Sequence, residues 1–90
     1  MRLEKIFGSK MQTRLVEYLL QNSGRVFNQA SLARFLDCSP STIARLIEPL
    51  IEEGILLYEQ ISGQMKILAL NLESEKVKVL IEFYEKIKRM

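Results

Sequence analysis

An α+β fold is predicted: three short helices, then a β-hairpin, then a fourth helix. Three observations predict it. Apolar residues recur at three- and four-residue intervals in four separate stretches. Three of those stretches start just after a capping residue, at Ser9, Asn28 and Ser39. Two apolar or alternating runs, 55–61 and 64–70, are separated only by Ser62-Gly63, a hairpin signal.

Taken in order, Ser9 and Gln12 have capping-box spacing, so the first helix is expected to begin there. Met11, Leu15, Tyr18 and Leu19 give it an apolar face, and Asn22-Ser23-Gly24 is expected to end it in a left-handed cap near Gln21. Arg25-Val26-Phe27 is too short for a helix and reads as a brief strand. Asn28 caps a second helix with Leu32, Phe35 and Leu36 on its apolar face, and Ala30 and Ala33 permit close approach. That helix stops near Asp37. Ser39 caps the third helix with Pro40 at its first position, where a missing N–H costs nothing, and Ile43, Ile47 and Leu50 form its buried stripe up to Gly54. Pro49 stands inside this helix and is expected to kink it, because proline cannot donate to the carbonyl four residues earlier, that of Arg45. After the hairpin, Leu72 to Met90 reads as one helix.

Ninety residues, 48% of them apolar, suffice for one compact core. No apolar run approaches the roughly 20 residues needed to cross a bilayer, and residues 1–7 do not resemble a secretion signal. A cytoplasmic protein is therefore expected, with no membrane partner. Cys38 is the single cysteine and histidine is absent, which excludes an internal disulfide, zinc sites built from Cys and His, and catalysis by Ser-His or Cys-His pairs. No two carboxylates stand at a spacing that argues for acid–base chemistry, so no enzyme, cofactor or metal is expected. Cys38 itself is read as a small buried hydrophobe in a turn.

The net charge of +2 says little, but its distribution says more. Residues 1–47 carry seven bases against three acids, a balance of +4, whereas residues 48–60 carry four glutamates and no base. A polyanion would orient the molecule with its first half forward and the acidic segment turned away.

Helix, short strand, helix, tight turn, helix, hairpin is the order of a winged helix. The stretch from Leu32 to Ile47, continuing from Leu50 to Leu56, resembles the helix-turn-helix of winged-helix regulators of the ArsR and MarR type. Asp37 stands where such turns often carry glycine. Gly8-Ser9-Lys10, Leu70-Asn71-Leu72-Glu73 and Leu80-Ile81-Glu82-Phe83 are similar to small archaeal members. The resemblance carries no ligand with it: metal-sensing ArsR members use paired cysteines and histidines, which this chain lacks. It divides the chain into a DNA-binding winged helix, residues 1–71, and a C-terminal helix, residues 72–90, for dimerisation.

The resemblance implies double-stranded DNA as partner. In such folds the third helix enters the major groove near its N-terminus, which turns Ser39, Pro40, Ser41, Thr42 and Arg45 toward DNA. Arg45 suits guanine, which it can grip with two hydrogen bonds, while the short hydroxyls suit phosphate. An arginine paired with Glu48 one turn on is the plainer alternative. Gln29, Ser31 and the free amides of the second helix are expected to meet a phosphate, with Arg34 adding charge and Lys10 and Arg14 in support. Lys66 is the charged residue of a polar wing that also holds Gln60, Ser62 and Gln64.

The last helix is apolar over an arc of about 200°, wider than one packed surface needs. Val77, Leu80, Ile81, Phe83, Tyr84 and Ile87, with Val79 and Met90, are expected to serve both the core and a second copy, with Leu3, Ile6 and Phe7 in support. A two-fold dimer would set two recognition helices about 34 Å apart. The expected function is sequence-specific binding of duplex DNA by a homodimeric transcriptional regulator, acting as a repressor for want of a separate effector domain. A winged-helix module that recognises protein is the alternative, favoured by the modest charge and the acidic segment 48–59.

Overall fold

A computed structural model describes residues 10–62 and 65–90. Four helices and three strands follow one another as α1 (Lys10–Gln21), β1 (Val26–Asn28), α2 (Gln29–Leu36), α3 (Pro40–Glu52), β2 (Leu56–Ser62), β3 (Met65–Leu70) and α4 (Glu75–Lys88). The strands form one antiparallel sheet in the order β1-β3-β2. Val26 pairs with Ala69 and Leu57 with the same Ala69, so β1 extends the hairpin into a sheet that closes one side of the helices. The hairpin register shifts between Gln60 and Ser62, and Ser62 pairs with Met65, so the strand runs one residue further than the Ser62-Gly63 signal implied. Ser9, the proposed cap of α1, lies outside the described residues, as do Leu3, Ile6, Phe7 and Gln64.

One core joins all seven elements. Leu15 and Leu19 of α1, Leu32 and Leu36 of α2, Ile43 and Ile47 of α3, Leu56, Leu68 and Leu70 of the hairpin, and Val77 of α4 are buried together. Each large aliphatic side chain buried there contributes about 1.5–3 kcal/mol relative to exposure, which is why the three- and four-residue spacing is kept in every helix. Phe35 departs from the expected apolar face. It is 49% exposed and lies flat against Tyr18, ring centroids 3.8 Å apart, while Ala33 takes the inward place. Ala30 likewise faces solvent.

The helix ends are set by local chemistry. The Asn28 side chain accepts from the Ser31 N–H at 2.7 Å and starts α2. Asp37 ends it in the left-handed region, φ 55° and ψ 53°, with Asp37 N–H donating to the Arg34 carbonyl and Cys38 N–H to that of Ala33. These two bonds make a Schellman turn around a residue with a Cβ, which aspartate tolerates better than most. Gly54, φ 73°, closes α3 in the same way, with Ile55 N–H reaching back to the Leu50 carbonyl at 2.9 Å. The end of α1 differs from expectation: none of Asn22, Ser23 and Gly24 takes a positive φ. There the Asn22 side chain donates to the Tyr18 carbonyl at 2.9 Å and the Arg25 N–H to the Asn22 carbonyl at 3.0 Å, so a side-chain cap replaces the left-handed one. α3 continues through Pro49 for nearly a full turn.

α4 begins at Glu75 rather than Leu72, because Asn71 to Ser74 form a turn and Ser74 is the N-cap. It leans on α1, where the Gln21 amide donates to the Tyr84 hydroxyl at 2.7 Å. The arc of apolar residues is divided between two surfaces. Val77, Tyr84 and Ile87 belong to the protomer's own core, and Leu80 and Ile81 are half-buried against it. Val79 (62% exposed) and Phe83 (43% exposed), one turn apart, face solvent together with Met90 beyond the helix end.

Candidate nucleic-acid interface

The start of α3 projects from the body as a patch of hydroxyls. Ser39 Oγ accepts from the Thr42 N–H at 3.2 Å and lies 3.0 Å from both Ser41 Oγ and Thr42 Oγ1. With one proton, Ser39 can donate to only one of these neighbours, so the other donates to it. The network is self-satisfied yet rotatable, and exposed at Ser39 and Ser41. Pro40 brings no N–H, and Thr42 and Ile43 direct theirs to the Ser39 carbonyl. What the first turn offers to an anion is therefore mainly its hydroxyls, with Arg45 one turn on.

Arg45 stands one turn further along and is exposed, its Nη2 donating to Thr42 Oγ1 at 3.5 Å. The plainer alternative of a pair with Glu48 is not observed: among the described residues Arg45 makes no ion pair. At 100° per residue, Ser41, Arg45, Glu48 and Glu52 fall within about 60° of one another on the helix. All four are exposed. The acidic end of α3 is thus not turned away from the hydroxyl end, contrary to the charge argument, except at Glu53, which meets Lys76 of α4 at 3.4 Å.

The second helix reaches the same patch through Gln29, whose Nε2 donates to the Pro40 carbonyl at 3.2 Å and ties the start of α2 to the start of α3. Ser31 is committed elsewhere. Its N–H and its hydroxyl, at 2.7 and 2.9 Å, are both directed at Asn28, so neither is free to donate to a phosphate. Arg34 is exposed in the last turn of α2, beside the Asp37 turn and away from Gln29. On the wing, Lys66 is half-buried on β3 opposite Gln60. It lines a groove of about 250 Å³ in which Ala44, Glu48, Ile51 and Glu52 of α3 face Tyr58 and Lys66 of the hairpin. The structure therefore gathers Gln29, Ser39, Pro40, Ser41, Thr42 and Arg45, and leaves Arg34 and Lys66 at its margins.

Sequence reasoning did not find the groove between α3 and the wing, since no local signal relates Ala44 to Tyr58. Cys38, by contrast, is half-buried against the core as a free thiol, close to its expected place. Among the described residues no group of His, Cys, Asp or Glu is placed to hold a metal ion, and no helix is long and apolar enough to cross a membrane.

No protein-family model matches the sequence, and no curated protein matches it. Solved structures do match it. HlyU from Vibrio cholerae superposes with a TM-score of 0.71 at 19% identity, over 98% of this chain and 89% of that one. The fold is a winged helix. MepR, a transcription regulator of the Staphylococcus aureus multidrug efflux pump MepA, superposes at 0.67 and 17% identity over 97% of this chain, which spans 65% of MepR. A possible transcriptional regulator from Methanosarcina mazei gives 0.66 at 19% identity, over 90% of this winged helix and 70% of its own length. At these identities the likeness is one of fold. It embraces bacterial proteins as well as the Methanosarcina one and does not single out the archaeal type.

Proposed function

We propose that this winged helix binds duplex DNA with sequence preference as a homodimer and regulates transcription, repressing by occupancy of its site. The observation that carries the reading is the start of α3, where among the described residues an arginine without an ion pair stands beside three linked hydroxyls on an exposed turn. Arg45 reads a guanine from the major groove; Ser39, Ser41 and Thr42 hold phosphate; Gln29 braces the two helices; Arg34 and Lys66 add charge at the rims. The solved structures of this fold include proteins named as transcription regulators, which supports a regulatory and non-enzymatic role. The dimer is supported by Val79 and Phe83, large apolar side chains on one exposed stripe of α4.

A second reading draws on Glu48 and Glu52. They share the outward stripe with Arg45, and a protein partner with basic side chains fits them better than phosphate does. Binding of fluorescent duplex across a salt series separates the two. A DNA-binding dimer loses affinity steeply, with a slope of about −0.9 in log K per log salt for each phosphate neutralised. Absence of duplex binding even at low salt would refute the DNA reading.

A further inference from the structure

The stretch between the hairpin and α4 is bonded to the end of α3 more closely than a connector requires. Asn71 alone makes four hydrogen bonds. Its N–H donates to the Ile55 carbonyl at 2.9 Å, and its Nδ2 donates to the Gly54 carbonyl at 3.2 Å. Its Oδ1 accepts from the Glu73 N–H at 3.1 Å, and its carbonyl accepts from the Ser74 N–H at 3.0 Å. Gly54 and Ile55 are the residues that close α3, and Ser74 is the N-cap of α4, its hydroxyl accepting from the Val77 N–H at 3.5 Å. One side chain thus clasps the turn that ends the recognition helix to the turn that starts α4. Lys76 adds contacts of 3.4 and 3.5 Å to the carboxylate and carbonyl of Glu53, an exposed pair that contributes little by itself.

Beyond this clasp α4 is held along its length by α1, so among the described residues the bonds that join it to the end of α3 are those of Asn71 and of Lys76 to Glu53. We infer that Asn71 is a positioning residue for DNA recognition: it fixes the angle at which α4 leaves α3 and thereby sets the separation of the two recognition helices when two copies pair. The inference rests on the dimeric DNA-binding reading. The lever is long enough to matter. Phe83 lies nine residues beyond Ser74, about 13 Å along the helix at 1.5 Å per residue. A swing of about 10° moves it about 2 Å, and two-fold symmetry doubles that to about 4–5 Å. The rise per base pair is about 3.4 Å. Loosening the clasp by so little therefore blurs the spacing of half-sites by about one base pair.

Asn71→Asp is the discriminating variant, because it keeps the Oδ1 that accepts from Glu73 and removes the donor to Gly54. Two measurements decide. In a C38S background, spin labels at E52C and E82C, in labelled chains diluted with unlabelled ones, report the distance between the end of α3 and α4. The distribution is expected to broaden at least twofold in N71D. Selection from duplexes carrying two half-sites at varied separation is expected to show one preferred spacing for the natural chain. N71D should keep the half-site preference and lose fivefold or more of the discrimination against spacings one base pair away. Unchanged distance widths or unchanged spacing preference overturns the inference, and so does loss of half-site preference together with spacing, which marks general destabilisation. Should N71D fail to fold, N71S, whose hydroxyl still serves the turn but does not reach Gly54, is read in the same way. If the natural chain binds no duplex at low salt, the function proposed above fails, and the distance widths still judge the clasp.

Discussion

Substitutions at Ser39 separate the cap of α3 from the work proposed for it. The Ser39 side chain accepts one backbone bond, from the Thr42 N–H at 3.2 Å, and its contacts with Ser41 and Thr42 are exposed and exchange readily with water. Ser39→Ala removes that bond from a helix whose burial is otherwise intact, so the cost is that of a single exposed cap, about 1 kcal/mol. For a domain of this size the melting temperature should fall by about 4–8 °C. Ser39→Asp preserves the acceptor, and its charge favours the positive end of the helix by about 0.3–1 kcal/mol, so stability should match or exceed that of the natural chain. The same carboxylate faces phosphate if α3 enters the groove, and duplex affinity should drop at least tenfold, about 1.4 kcal/mol. Thermal unfolding and duplex titration at one salt concentration give both numbers. S39D that is stable and binds duplex as well as the natural chain would show that this turn does not meet DNA.

Arg45→Ala should cost about 1–3 kcal/mol against the preferred base at one position per half-site, whereas Arg34→Ala should weaken binding to all sequences alike and lower the salt slope by about one; selected-site sequencing and titrations tell them apart, and identical behaviour contradicts the division of roles. Val79→Ser combined with Phe83→Ser should yield monomers in sedimentation, with the protomer destabilised by about 0.5 kcal/mol at Val79 and by about 1–1.5 kcal/mol at Phe83, whose ring is 43% exposed. Val77→Ala, one position on the buried side, should instead cost about 2 kcal/mol through lost burial and a cavity, measured by urea unfolding. Asp37→Val should cost about 1–2 kcal/mol, because a β-branched residue is forced to φ 55°, while Asp37→Gly should unfold at a denaturant midpoint no lower than the natural chain's.

The acidic residues of α3 bear on how such a domain would approach DNA. Glu48 and Glu52 share the outward stripe with Arg45, so a straight helix laid along the groove would bring carboxylates against phosphate. Entry by the N-terminal turn, with the acidic turns held higher, avoids this. Pro49 stands at the boundary between the two halves, where the Arg45 carbonyl loses its usual helical donor and is left to other partners.

What the chain states by itself is whatever acts over three or four residues. Asn28 and Ser39 as caps, Pro40 at the first position of α3 and Gly54 at its close were legible because each bond joins near neighbours. The order of elements, and with it the winged helix, followed from their spacing. Periodicity does not say which side of a helix meets the domain when apolar residues cover much of its circumference. Only packing assigned Val77, Tyr84 and Ile87 inward, left Val79 and Phe83 outside, and sent Phe35 to the surface against Tyr18. Asn71 and Gly54 are seventeen residues apart, and their bond exists because the hairpin returns the chain to the end of α3. Burial and long-range bonding depend on which surfaces compete for the same water-free space, and that competition is settled by the whole fold rather than by any one segment.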